Sequence, residues 1–207
     1  MLVFKYTKTN GAEYISHLDT LRHLSKIMRR ADIDITKSKG FNPHMHIYMN
    51  APMGVGIKSL CEYCFADTEE PARIFMQKFN DFSINGIVCL SATDVIKKVN
   101  VAGAITRAEY EIKGVSPFDV NEILNSDSFI VTDKKGNEKN LRSRIYSLEN
   151  RGDKTVAVLG FGNDTLRADS FGAKLISLFG GEITGIIKTE VFAADTPFDE
   201  YVKQFEK

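Results

Sequence analysis

Residues 17–49 change hydrophobic period within one short stretch, and that change limits the folds open to this chain. Over 17–31, Leu18, Leu21, Leu24, Ile27, Met28 and Ala31 fall within one arc at 100° per residue, which predicts an amphipathic helix. Ser16 followed by Asp19 supplies a capping-box start, with Asp in place of the usual Glu. Over 44–49, His44, His46 and Tyr48 alternate with Met45, Ile47 and Met49, which predicts a strand with one polar and one apolar face. Between the two lies Lys37-Ser38-Lys39-Gly40-Phe41-Asn42-Pro43, where Gly40 is free to take positive φ and Pro43 biases Asn42 towards extended backbone. The apolar helix stripe and the Met/Ile face need a common core, so the helix is expected to pack on a sheet.

The remaining pattern extends that plan. Residues 2–8 read as a strand ended by Asn10-Gly11, 59–66 as a strand hairpinned to 44–49, 71–82 as a helix opened by Pro71, and 84–91 as a fourth strand. The order β-α-β-β-α-β is the ferredoxin-like plan, with both helices on one face of an antiparallel sheet and the other face solvated or covered by something else. After a connector over 93–103 the mixed pattern returns. Strands are expected at 105–113, 129–132, 139–148, 155–161 and 182–192, with a Lys134-Lys135-Gly136-Asn137 turn after 132. Helices are expected at 117–124, capped by Ser116, at 170–179, ended by Gly180-Gly181, and at 198–205. The predicted fold is therefore α+β: two ferredoxin-like units side by side, residues 1–98 and 104–207, with a groove between them.

The 207 residues carry zero formal net charge, but the balance is uneven. Residues 1–60 hold nine Lys/Arg against four Asp/Glu. A locally basic half on a neutral chain suits a localised anionic partner better than general coating of nucleic acid. On the helix, Arg22, His23, Lys26, Arg29 and Arg30 form a stripe opposite the apolar arc, a pattern that a merely solvated helix face also shows. Lys37 and Lys39 add charge around Gly40, Phe41 and Asn42, where backbone N–H groups can face an anion. The His44/His46/Tyr48 face suits a polar cleft or an RNA-stacking surface. Arg142 and Arg144, on one face of the 139–148 strand, would extend the positive surface. His17 falls on the apolar side of the first helical turn. It is either a hydrogen-bonded structural histidine or a site residue held beneath the Gly40 loop.

Two histidines two residues apart could begin a metal site, with Glu62 the nearest third candidate, but the donor set does not make one and no metal is expected. Cys61, Cys64 and Cys89 are too few and too odd in number for a disulfide scaffold. In a strand, Cys61 and Cys64 point to opposite faces, so both read as structural thiols in a reducing compartment. No cofactor motif is present: no G-x-G-x-x-G follows a strand and no Walker lysine occurs. The opening residues lack a signal-peptide pattern and no run approaches 18 apolar residues, so a cytoplasmic protein without a membrane span is expected.

Several motifs carry a resemblance. Ile15-Ser16-His17-Leu18-Asp19, Arg29-Arg30-Ala31 and Ser38-Lys39-Gly40-Phe41-Asn42-Pro43-His44 resemble the signature of the radical SAM-linked protein family. Ala51-Pro52-Met53-Gly54-Val55-Gly56, with Ser59 and Glu62, continues it. Further on, the resemblance rests on Asn140-Leu141-Arg142 and Leu166-Arg167. There the family more often has Asp before the first Leu-Arg and Pro after each Arg, where this chain has Asn140, Ser143 and Ala168. Members of the family occur beside, or fused behind, radical SAM proteins with a cobalamin-binding-type domain, so the resemblance implies such a partner. With no three-cysteine cluster here, the radical chemistry would belong to that partner. The Gly40-Phe41-Asn42-Pro43 turn in this setting is also similar, at fold level, to RNA endonucleases of the Cas6 type.

These readings favour a non-catalytic accessory protein that binds RNA, a tRNA or rRNA, through the basic N-terminal surface. One alternative is a protein-docking or small-molecule carrier subunit for the radical SAM partner, which the neutral net charge suits. Another is a metal-independent endoribonuclease in which His17, His44 or His46 acts as general acid or base.

Overall fold

The structure is a computed structural model that describes residues 1–132, 136–162 and 165–207. The first unit contains β1 (Leu2–Lys8), α1 (His17–Arg30), β2 (Ile47–Met49), β3 (Lys58–Ala66), α2 (Ala72–Asp81) and β4 (Cys89–Asp94). Its strands lie in the order β4-β1-β3, with β2 paired antiparallel to the far end of β3. Every pairing within the unit is antiparallel, as the ferredoxin-like plan requires. The second unit contains α3 (Val101–Ala104), β5 (Arg107–Val115), α4 (Asn121–Leu124), β6 (Ile130–Thr132), β7 (Glu138–Asn140), β8 (Ile145–Arg151), β9 (Lys154–Gly160), α5 (Ala168–Phe179), β10 (Gly181–Ala193), β11 (Thr196–Pro197) and α6 (Phe198–Lys203). Its main order, β10-β5-β9-β8, repeats the same plan, with β6 and β7 forming a separate two-stranded ribbon.

The two units are joined edge to edge. β10 pairs parallel with the start of β3 at Ile187↔Lys58 and Lys188↔Ser59, so one nine-stranded sheet runs through the molecule. Ser16 caps α1, accepting the Asp19 N–H at 3.1 Å, as the capping pattern predicts. Leu24, Ile27 and Met28 of α1 and Phe75 and Phe79 of α2 bury against Phe4, Tyr6 and Cys64. α5 packs over Ile112 and Ile183, with Gly172 facing both.

The sheet face of the first unit away from α1 is covered by the end of the chain. Phe198 of α6 meets Tyr63 edge-on at 4.7 Å, and Lys5 donates to Asp199 at 2.9 Å. β1 is consequently buried on both faces along most of its length. One apolar cluster runs from Val3, Tyr63 and Phe65 to Ala108, Ile112 and Phe171, across the 93–103 connector, while a second lies within the first unit.

Several expected elements change. Leu18 belongs to the wheel's apolar arc but is 64% exposed, while Thr20 takes the buried place by donating its hydroxyl to the Ser16 carbonyl at 2.8 Å. The fourth strand starts at Cys89 rather than residue 84, because the chain first turns at Gly86 (φ 88°). A Cβ there would lie 1.8 Å from the Thr9 carbonyl oxygen. The 117–124 helix shrinks to the single turn of α4, and Ser116 does not cap it. The 139–148 strand breaks into β7, a 3-10 turn at Arg142–Arg144, and β8. Of the turn expected at 134–137, Lys134 and Lys135 lie outside the described residues.

Candidate functional site

The basic stripe does line a groove, but within the first unit rather than between the units. Beyond α1 the chain forms a small hairpin: Lys37 bridges Met45, the Ser38 N–H donates to the His44 carbonyl at 2.8 Å, and the His46 N–H donates to the Thr36 carbonyl at 2.8 Å. Its return arm lies beside α1. The groove between them, about 440 Å³, has Leu21, Met45, Ile47 and Pro43 in its lining, together with Arg22, Lys26, Arg29 and His44. Arg29 also lines an adjoining depression with Lys37, Asp32 and Asp34. Arg22 is engaged by Asp19 at 2.7 Å, an exposed ion pair. Together with the Ser16 hydroxyl, Arg22 holds the Asp19 carboxyl below its ordinary range.

The other expected contacts disperse. His23 is half-buried, Arg30 and Lys39 are exposed, and none of the three lines the groove. Gly40, Phe41 and Asn42 form the exposed hairpin tip, with Gly40 at φ 127°. Of the predicted His44/His46/Tyr48 face, His46 and Tyr48 are neighbours, with ring centroids 6.3 Å apart, while His44 lies apart from the 47–49 strand. His44 turns to the α1 groove. His46 Nδ1 sits 3.4 Å from Asp67 Oδ2, and the Tyr48 ring is covered by Lys98 Nζ at 3.5 Å from its centroid. The Met45, Ile47 and Met49 side packs into the core beneath α1 and α2, as the alternation predicts.

Arg142 is a correction of another kind. The 3-10 turn points its side chain inward, where Nε donates to the Ile123 carbonyl at 2.8 Å and the guanidinium also reaches the Leu124 and Ile145 carbonyls. It caps the carbonyl end of α4 and is not offered to a ligand. Arg144 stands in the same turn, so the two arginines do not share a strand face.

A second polar assembly lies at the seam between the units. The β1–β3 register shifts between Tyr6↔Glu62 and Lys8↔Ser59, so β3 carries one extra residue against β1. This bulge brings Ser59 onto the same face as Glu62. Lys188 of β10 pairs with Ser59 on one side and Tyr110 on the other. Lys188 Nζ lies 2.6 Å from Glu62 Oε1, and both side chains are buried. The contact is an ion pair by distance. Burial pushes the Glu62 carboxyl up, but Lys188, with hydrogen bonds from Ser59 and Asn50, holds it below its ordinary value. The Tyr6 hydroxyl is buried nearby with no hydrogen-bond partner among the described residues.

His17, half-buried in the first turn of α1, is within electrostatic reach of this pair. Burial and the Lys8 ammonium lower its imidazole pKa against the opposing pull of Glu62. His44 lines the α1 groove and His46 stands against Asp67, and His17 is at neither place, so the three histidines are not brought together. Gly54 of the 51–56 loop packs beside Arg167 and Asp169, which pair with each other. Sequence reasoning missed Lys8, Asn50, Tyr110 and Lys188 here. The available signal was a lysine at a core-facing register of β10 and a lone Glu62 in an apolar run.

The cysteines are free and buried, and burial raises all three thiols, Cys61 and Cys89 to about 12. Cys61 and Cys64 enter different core clusters, as strand alternation predicts. Among the described residues no three His, Cys, Asp or Glu side chains converge as a metal site. No described helix is long and apolar enough to cross a membrane.

No curated protein matches the chain. Among solved structures, one described as "Crystal Structure of a Cbf5-Nop10-Gar1 Complex" is similar at 8% identity and TM-score 0.49, over 94% of this chain and 50% of that one. This chain thus spans about half the length of that match. The encapsulated DyP-type peroxidase from Mycobacterium smegmatis gives 10% identity and TM-score 0.22, over 89% of this chain and 90% of that one. Neither TM-score reaches 0.5, so neither likeness bears on function. A family model, however, matches residues 1–168, which takes in all of the first unit, the groove and much of the second. The chain belongs to the bacterial family described as "Uncharacterized protein conserved in bacteria (DUF2344)".

Proposed function

We propose that this protein is a non-catalytic RNA-binding module, taking a tRNA or rRNA in the α1 groove and serving a radical SAM enzyme as its accessory subunit. The observation that supports it is the groove itself: an apolar floor with Arg22, Lys26, Arg29 and His44 along its sides. Positive side chains spaced along one helix face hold successive phosphates, and the release of condensed counterions drives such binding. The apolar floor accepts the flat faces of bases, which phosphate contacts alone would leave in water. The partner rests on the motif resemblance described above, which lies in the helix and hairpin that build the groove.

The test is a titration of tRNA at two salt concentrations with wild type and a Lys26→Ala/Arg29→Ala variant. Affinity should fall with salt, and the slope of log affinity against log salt should flatten by about 0.7–0.9 for each phosphate that the variant no longer neutralises. Absence of binding at low salt would sink the RNA reading. Co-purification with the radical SAM protein tests the partner separately.

A further inference from the structure

We infer that the nucleic acid recognised is unpaired, and that Phe41 is the platform on which one extruded base stacks. This inference rests on the RNA reading above and names its substrate class. Phe41 is the most exposed large apolar side chain of the described residues, with no part of its ring covered. A ring left wholly in water gains nothing from packing there. Phe41 nevertheless sits at the tip of a hairpin whose base is fixed by the Lys37–Met45 bridge and paired backbone bonds. The hairpin presents the ring next to the groove mouth, since Pro43 and His44, two and three residues on, form the groove wall.

The charge around the ring selects a base over an apolar protein surface. From residue 35 to 66 the only acidic side chain is Glu62, and that one is buried against Lys188. Lys37 and Lys39 flank the tip, so a polyanion reaches the ring without meeting a carboxylate on its own hairpin. Stacking on an aromatic ring needs a face of the base to be free, which a continuous duplex denies. The phosphates on either side of a splayed nucleotide would then run to Lys39 at the tip and to Lys26 and Arg29 in the groove.

The chain has no tryptophan, so Phe41→Trp introduces a single fluorescent reporter. The experiment compares an unstructured RNA oligonucleotide with the same strand annealed to its complement, using wild type, Phe41→Ala and Phe41→Trp. The expected result is tighter binding of the single strand, quenching of the introduced indole by it alone, and about a tenfold loss of single-strand affinity in Phe41→Ala. Duplex binding should be unchanged by that substitution. Equal, salt-dependent binding of both RNAs with Phe41→Ala silent would overturn the stacking role and leave the groove reading standing. Binding of neither RNA would overturn both. A Phe41 dependence seen only in association with a protein partner would overturn the stacking role and reassign the ring to docking.

Discussion

Lys188 on β10 and Glu62 on β3 meet at 2.6 Å across the seam where the two units join, and both charges are out of water. Only two residue pairs connect β10 and β3 in register, so this buried pair stands at the narrowest part of the sheet. Removing one partner leaves the other as an uncompensated buried charge. Lys188→Met should destabilise the fold by about 3–5 kcal/mol in urea denaturation, and Lys188→Met/Glu62→Gln should recover much of that loss. A double variant whose loss equals the sum of the Lys188→Met and Glu62→Gln losses would show that the two residues are not energetically coupled.

The same pair sets an acid dependence. Glu62 titrates below its ordinary value of 4.5 in the fold, so its contribution is fully present above that pH. It is lost as pH falls through the lower folded value, because the unfolded chain takes up the proton first. Wild type should therefore lose stability more steeply than Glu62→Gln below about pH 4.5, read as the difference between their urea midpoints. Parallel curves would contradict the placement of Glu62.

Arg142 and the end of α4 give a prediction that separates structure from binding. The guanidinium serves the Ile123, Leu124 and Ile145 carbonyls together. Arg142→Ala should cost about 1.5–3 kcal/mol in thermal or urea unfolding, as removal of charge-assisted hydrogen bonds does. RNA affinity should stay at the wild-type level, in contrast to Lys26→Ala/Arg29→Ala. Weakened affinity with unchanged stability would return Arg142 to the binding surface.

His17 reports on the seam from the surface. Burial is the larger influence and lowers its pKa from the ordinary 6.5, while Glu62 raises it and Lys8 lowers it. An NMR titration of the four histidines should find His17 below 6.5. Glu62→Gln should lower its midpoint further and Lys8→Met should raise it. Movement in the opposite directions would place His17 away from the pair.

The elements that could be read from the chain are those whose pattern is local. The period of α1, its Ser16 cap, the alternation of Met45, Ile47 and Met49, and the opposite faces of Cys61 and Cys64 all follow from backbone geometry over a few residues. The two mixed runs of strand and helix pointed to ferredoxin-like units for the same reason. Leu18 misled the helical wheel because angle alone does not say how wide the buried arc is. His44 misled the strand reading because alternation continues in sequence past the point where pairing stops at Ile47.

The amino-acid sequence by itself determined which segments become helix or strand, which faces are apolar, and that positive charge collects on α1 and its following hairpin. Tertiary structure alone decided what those faces meet. The return of α6 onto the back of β1 and β3, the parallel join of β10 to β3, and the burial of Lys188 against Glu62 depend on contacts between residues more than a hundred positions apart. No local propensity encodes such contacts, because their free energy comes from excluding water between surfaces that are adjacent only after folding. The position of the groove has the same origin: the stripe was visible, but its opposite wall exists only where the hairpin folds back along α1.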